Sequence, residues 1–298
     1  MAMHADEVAT DADLVARLIA DQFPRWAQLP IEPVVSAGTD NALYRLGDDL
    51  VVRLPRIEGA VASVDKEHRW LPRVAPLLPV AIPVPLAKGA PAHGYPWIWS
   101  VYRWLDGENP TIDHDGDARQ LAVDLARFIT ALQRIDRMDG PPAGRGAPLA
   151  TRDGATRAAI DALRGVIDTD AVTAAWDAAL EAPQWTRPPV WVHADLAPGN
   201  LLLVGQRLGA VIDFSLMGLG DPACDLPVAW NLLPEDVRDL FRATLQVDDA
   251  TWARGRGWAL SIALIQLPYY RDTNPALAAS ARHVIREVLA DHQGRGRR

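Results

Sequence analysis

Three short apolar runs, about two thirds of the way along the chain, constrain its fold more tightly than any other feature. Val190-Trp191-Val192 leads into His193-Ala194-Asp195-Leu196-Ala197-Pro198-Gly199-Asn200, and Leu201-Leu202-Leu203 leaves it. Val211-Ile212-Asp213-Phe214 then places a second acid thirteen residues after Asn200. Apolar runs this short, separated by Gly, Pro and Asn, read as strands joined by a loop and a tight turn. A hairpin there brings Asp195, Asn200 and Asp213 to one end. Each of the three alone is ordinary turn material, because short polar side chains bond their own backbone. All three at these spacings, between apolar strands, point to chemistry.

Two carboxylates and an amide in this order fit phosphoryl transfer. One carboxylate must orient an attacking hydroxyl and accept its proton, while the other carboxylate and the amide oxygen hold the magnesium that neutralises the phosphates. The string His-Ala-Asp-Leu-Ala-Pro-Gly-Asn-Leu-Leu is followed by Ile212-Asp213-Phe214 and by Gly220-Asp221-Pro222-Ala223-Cys224-Asp225-Leu226. In this combination it resembles the aminoglycoside phosphotransferase family, relatives of protein kinases and choline kinases. The resemblance runs over nearly the whole chain and is strongest from 190 to 233. It implies Asp195 as catalytic base, Asn200 and Asp213 as magnesium ligands, and His193 and Asp225 as structural partners of the catalytic loop. A plainer role for Asp225 is to cap the helix that follows.

The remaining pattern agrees with an α+β, two-lobed protein-kinase-like fold. Residues 11–23 read as a helix ended by Pro24, and 34–54 as short strands separated by turns, which favours an antiparallel sheet. Residues 60–78 read as a helix, 97–101 as a strand, and 118–135 as a long helix. The Pro/Gly-rich segment 140–148 reads as a surface loop, 154–165 and 170–180 as helices, and 225 to about 291 as helical. The expected division is a nucleotide-binding lobe over 1–104, a hinge at about 100–105, and a helical lobe over 105–298 carrying the catalytic loop and acceptor site.

On the nucleotide side, kinases cover the phosphates with a hairpin turn and hold them with a cation on a following strand. Ser36-Ala37-Gly38-Thr39-Asp40-Asn41 is the candidate cover, with Ser36, Gly38 and Thr39 nearest the phosphates, although a single glycine also suits a plain turn. Arg53 stands where protein kinases carry lysine. Its fork keeps the charge with a different reach, and only two of the 30 basic residues are lysines, Lys66 and Lys88. Glu67 is the matching ion-pair partner, or else a solvated helical acid. Ser100 and Tyr102 fall in the hinge, where main-chain groups would read the purine of ATP or GTP.

Composition bounds the alternatives. A net charge of -8 gives no basic footprint for nucleic acid or an anionic membrane. No apolar stretch is long enough to span a bilayer, the N-terminus lacks a secretory pattern, and the cytoplasm is the expected location. Cys224 is the only cysteine, and the histidines show no ligand spacing for a transition metal. The expected partner is a small hydroxylated molecule, an aminoglycoside first as the resemblance implies. Asp106, Glu108, Asp113, Asp115 and Asp117 form an acidic run without Lys or Arg that either faces the substrate cleft or is a solubilising loop with helix N-terminal acids. Trp230, Trp258, Tyr269 and Tyr270 would equally suit a macrolide, and a metabolite sugar or amino alcohol is a further choice. A nucleotide-binding pseudokinase serving as an interaction module is the alternative from another class.

Overall fold

The computed structural model describes residues 7–34, 40–112 and 116–295. These form two compact units: one of residues up to Glu108 with 202–204 and 209–215, the other of 109–201, 205–208 and 216 onward. The first unit thus takes back two stretches from beyond the expected boundary, so a single cut does not divide the chain.

The first unit is built on five antiparallel strands in the order β1-β2-β3-β5-β4: β1 (Ile31–Val34), β2 (Asn41–Leu46), β3 (Leu50–Pro55), β4 (Pro85–Gly89) and β5 (Trp99–Arg103). Side chains alternate across a strand, and this sheet uses the alternation fully. Ala42, Tyr44, Leu46, Leu50, Val52, Leu54, Trp99 and Val101 point to one face, where they pack with Leu14, Val15, Leu18 and Ile19 of α1 (Ala12–Gln22). Asp11 caps α1 by accepting from the Leu14 amide at 2.7 Å. The residues between them, Arg53, Ser100 and Tyr102, therefore face the other side, where α2 (Val61–Val74) lies. Ser63, Val64, Glu67, Trp70, Leu71 and Val74 recur at helical spacing as its buried stripe.

After Pro79 and Pro83 the chain extends into strand β4. Pro85 opens β4 at the sheet's edge, the place where a missing N–H removes no ladder bond. The expected strand at 97–101 lies two residues later, at Trp99–Arg103.

The second unit is mainly helical: α3 (Ala118–Gln133), α4 (Asp153–Ala162), α5 (Thr169–Leu180), α6 (Val228–Asn231), α7 (Glu235–Leu245), α8 (Asp249–Tyr270) and α9 (Pro275–Arg295). Helix α8 is buried nearly all round and packs against α4, α5 and α9. The short strand β6 (Val190–Val192) pairs with β9 (Gly218–Gly220). Strands β7 (Leu201–Val204) and β8 (Arg207–Val211) pair through Gly205 and Gln206, both with positive φ, as a two-residue hairpin turn demands. Among the described residues no helix is long and apolar enough to cross a membrane.

Candidate functional site

In the first unit, Glu67 sits in the apolar stripe of α2 with 1% of its surface exposed. A carboxylate there must be paired, since burying an uncompensated charge costs several kcal/mol, on the order of 3–5. Arg53 Nη1 donates to Glu67 Oε1 at 2.8 Å and Oε2 at 2.9 Å, and the Tyr102 hydroxyl donates to Oε2. Arg53 Nη2 donates to Asp213 Oδ1 at 3.1 Å. Asn41, with its amide oxygen toward the guanidinium, accepts from Nη2 at 3.0 Å and Nε at 3.3 Å. Burial alone would lower the pKa of Arg53, but Glu67, Asp213 and Tyr102 outweigh it and raise it, so the cation is permanent.

Asp213 itself has φ 59, a left-handed conformation that Asp tolerates better than most residues. Its Oδ1 also accepts from the Ser215 amide at 3.3 Å. Lys66 Nζ donates to the Ser215 carbonyl. Burial holds Lys66 below the ordinary lysine value, more than Glu67 and Asp213 restore.

Ser100 and Tyr102 are buried, and their side chains serve this cluster. Ser100 Oγ meets His68 Nε2 at 3.0 Å, and Tyr102 binds Glu67. Their backbone lies between β3 and β4, with Ser100 registered against both Arg53 and Lys88. The segment 104–107, after the ladder, has no strand pairing. Ser36, Gly38 and Thr39 of the expected phosphate cover lie outside the described residues.

In the second unit, β6 delivers His193, whose side chain is fully buried. Its Nδ1 accepts from the Asp195 amide at 3.2 Å, so a neutral ring carries its proton on Nε2. Asp225 Oδ2 accepts from the His193 amide at 3.0 Å and Oδ1 from the Ala194 amide at 2.6 Å. Ala194 has φ 69, a conformation costing an alanine roughly 1–2 kcal/mol, and the two bonds to Asp225 hold it there. It is Asp221 that caps the following short helix, by accepting from the Ala223 amide at 3.0 Å. Asp221 is further fixed by Arg254, whose Nε and Nη2 donate to its two oxygens at 2.7 and 3.1 Å.

Asp195, braced this way, keeps 32% of its side chain exposed. Asn200 Nδ2 donates to the Asp195 carbonyl at 2.8 Å and to Oδ2 at 3.2 Å, which leaves Oδ1 as the atom through which Asn200 can hold a cation. Arg145 Nη1 donates to Asp195 Oδ1. That contact was hidden in the sequence inside the segment read as a surface loop. Sequence reasoning assigns Lys66 no role, and it places Asn41 only at the end of the phosphate cover rather than on Arg53. The one available signal was the rarity of lysine in an arginine-rich chain.

The acceptor features divide. Asp106 accepts from Trp104 Nε1 at 2.9 Å, Asp117 caps α3 through the Gln120 amide at 3.0 Å, and Asp113 and Asp115 lie outside the described residues. Trp230 and Trp258 are core side chains, whereas Tyr269 is 56% exposed.

The family model described as the phosphotransferase enzyme family matches residues 33–258. No curated protein matches the chain in sequence. Among solved structures, the GDP and kanamycin complex of APH(2")-IIia is similar at 21% identity over 93% of this chain and 98% of that one, with a TM-score of 0.75. The GDP complex of wild-type aminoglycoside 2'-phosphotransferase-IIIa is similar at 19% identity over 95% and 100%, also with a TM-score of 0.75. The apoenzyme of macrolide 2'-phosphotransferase MphH from Brachybacterium faecium is similar at 22% identity over 92% and 98%, with a TM-score of 0.63. At these identities the likeness is one of fold.

Proposed function

Because the chain belongs to the phosphotransferase enzyme family, we propose that it is a magnesium-dependent O-phosphotransferase. It carries the γ-phosphate of ATP or GTP to a hydroxyl of a small molecule, an aminoglycoside first. The observation that carries this reading is the catalytic-loop geometry. Asp195 is partly exposed on a loop braced by Asp225 and His193, and the Asn200 amide is turned so that its nitrogen serves Asp195 and its oxygen does not.

In the reaction Asp195 takes the proton of the acceptor hydroxyl as the acceptor oxygen forms its bond to the γ-phosphorus. The bond from that phosphorus to the bridging oxygen breaks, and the nucleoside diphosphate leaves. Asp213 and Asn200 offer a carboxylate and an amide oxygen, the hard donors that magnesium takes alongside phosphate oxygens. When bound, magnesium would supply neutralisation of phosphate charge. Arg53, oriented by Glu67 and Tyr102, is the proposed phosphate cation; Ser36, Gly38 and Thr39 are the proposed cover. Tyr102 acts through the Glu67 side of the cluster, Ser100 bonds His68, and base reading falls to the part of the hinge beyond the strand, 104–105. The first unit is then the nucleotide-binding lobe and the second the acceptor lobe, and ATP or GTP as donor suits the cytoplasm.

A macrolide or a metabolite sugar or amino alcohol is the second reading of the acceptor, favoured by how many helical-lobe acids already have arginine partners, such as Glu287 with Arg238 and Asp249 with Arg242. The test is transfer from γ-labelled ATP and GTP to aminoglycosides, macrolides and small alcohols, with and without magnesium. Labelled product with at least one hydroxylated acceptor is expected. A polycationic acceptor should show a Michaelis constant rising steeply with salt, because exposed charges are screened beyond about 10 Å at 0.1 M. Tight nucleotide binding with no transfer to any acceptor would instead support a binding module.

A further inference from the structure

We propose that Arg145 is a positioning residue for phosphoryl transfer, and that the Pro/Gly-rich segment 140–146 is the scaffold that delivers it to Asp195. The proposal rests on Asp195 being the base. Residues 193–204 contain no Lys or Arg, so any cation for the Asp195 carboxylate comes from outside the catalytic loop. Arg145 supplies it. Its Nη1 donates to Asp195 Oδ1 and also to the Ala194 carbonyl at 3.1 Å. One nitrogen thereby holds the base and the left-handed residue before it.

A surface ion pair of this exposure, 21% and 32%, contributes little to stability by itself. The way Arg145 is carried argues for more. The segment lies along 216–221 and is pinned by backbone bonds on both sides of the arginine. Ala143 N donates to Leu219 O at 3.1 Å, Gly144 N to Leu216 O at 2.9 Å, Leu219 N to Pro141 O at 2.7 Å and Asp221 N to Gly146 O at 2.8 Å. The approach is close enough to need glycine. A Cβ on Gly218 would lie 2.5 Å from the Ala143 nitrogen, and Gly146, with φ 110, would place one 3.1 Å from the Gly220 Cα. A segment so constrained sets the guanidinium rather than following it.

The gain is orientation. An aspartate side chain has several staggered rotamers, and a misplacement of about 1 Å costs on the order of a hundredfold in rate. With Arg145 on Oδ1 and Asn200 on Oδ2, one rotamer is fixed. Each carboxylate oxygen has two acceptor sites, so one on each remains for the hydroxyl proton.

The test uses the full chain with magnesium and ATP or GTP, kanamycin and water serving as probe acceptors, alongside Asp195→Asn. Arg145→Ala is expected to fold, to lose about a hundredfold in kcat, and to leave the nucleotide Michaelis constant within about twofold. Arg145→Lys should recover part of the loss, and millimolar guanidinium should revive Arg145→Ala but not Asp195→Asn. A wild-type kcat in Arg145→Ala beside an inactive Asp195→Asn would overturn the positioning role and leave the base in place. A wild-type kcat in both would remove Asp195 from the mechanism and Arg145 with it. Equal losses in the Ala and Lys variants without guanidinium rescue would reduce Arg145 to a structural contact and overturn the proposal.

Discussion

Asp225 carries a carboxyl group into a place without solvent and aims both its oxygens at the backbone of the catalytic loop. Burial raises its pKa, the two amide bonds lower it, and Asp195 nearby raises it again, the net being a group pushed up to about 7. The folded state thus binds a proton that the unfolded chain has released. The contribution is fully present below the ordinary carboxylate value and is lost as pH rises through about 7. Stability should fall between about pH 4 and 7, with a slope from this group of at most about 1.4 kcal/mol per pH unit. Asp225→Asn should be less stable at low pH, because it loses one acceptor, and should also lose that slope. Urea midpoints across the range measure both, and an unchanged slope would assign the pH dependence elsewhere. At this scale the sequence exposed Asp195, Asn200 and Asp213 because their spacing is local. Arg145 was hidden because its contact spans fifty positions, across a segment with no periodicity.

The elements that were legible are those whose apolar pattern is long or regular: α1, α2, α3, α4, α5 and the β2–β3 pair. Helix α8, apolar nearly all round, falls within the span read only as helical, 225 to about 291. Strand β9 is three residues long with two glycines, below what alternation can reveal. The segment 140–146 reads as a loop by composition, yet its main chain pairs with 216–221 as an added strand would. Glycine here answers a packing demand. Gly146→Ala places a Cβ against Gly220 at a φ of 110, so it should cost about 1–3 kcal/mol in chemical denaturation and lower turnover by loosening Arg145. Gly154→Ala is the control: its Cβ meets nothing within 4 Å at the start of α4, and it should be neutral or stabilising by up to about 1 kcal/mol. Equal costs for the two would mean that the segment 140–146 is not held as described.

The molecule as a whole is an α+β protein with a five-stranded antiparallel sheet and a helical part, similar to solved aminoglycoside and macrolide phosphotransferases. That class was legible because the strand-rich and helix-rich stretches follow one another in the chain. The return of 202–204 and 209–215 to the first unit was not, since it depends on packing between residues far apart in sequence. The acceptor is the least legible part, because it is read by surface side chains that carry no pattern. The chemistry is more sharply posed, and it concentrates on one carboxylate. The decisive measurement is the single-turnover rate of γ-phosphate transfer by the wild type and Asp195→Asn, at saturating magnesium nucleotide and with the acceptor identified by the screen, with nucleotide affinity measured in parallel. Loss of the proton acceptor with shape preserved should slow transfer by on the order of a hundredfold or more and leave affinity unchanged; transfer by Asp195→Asn at the wild-type rate would contradict the account.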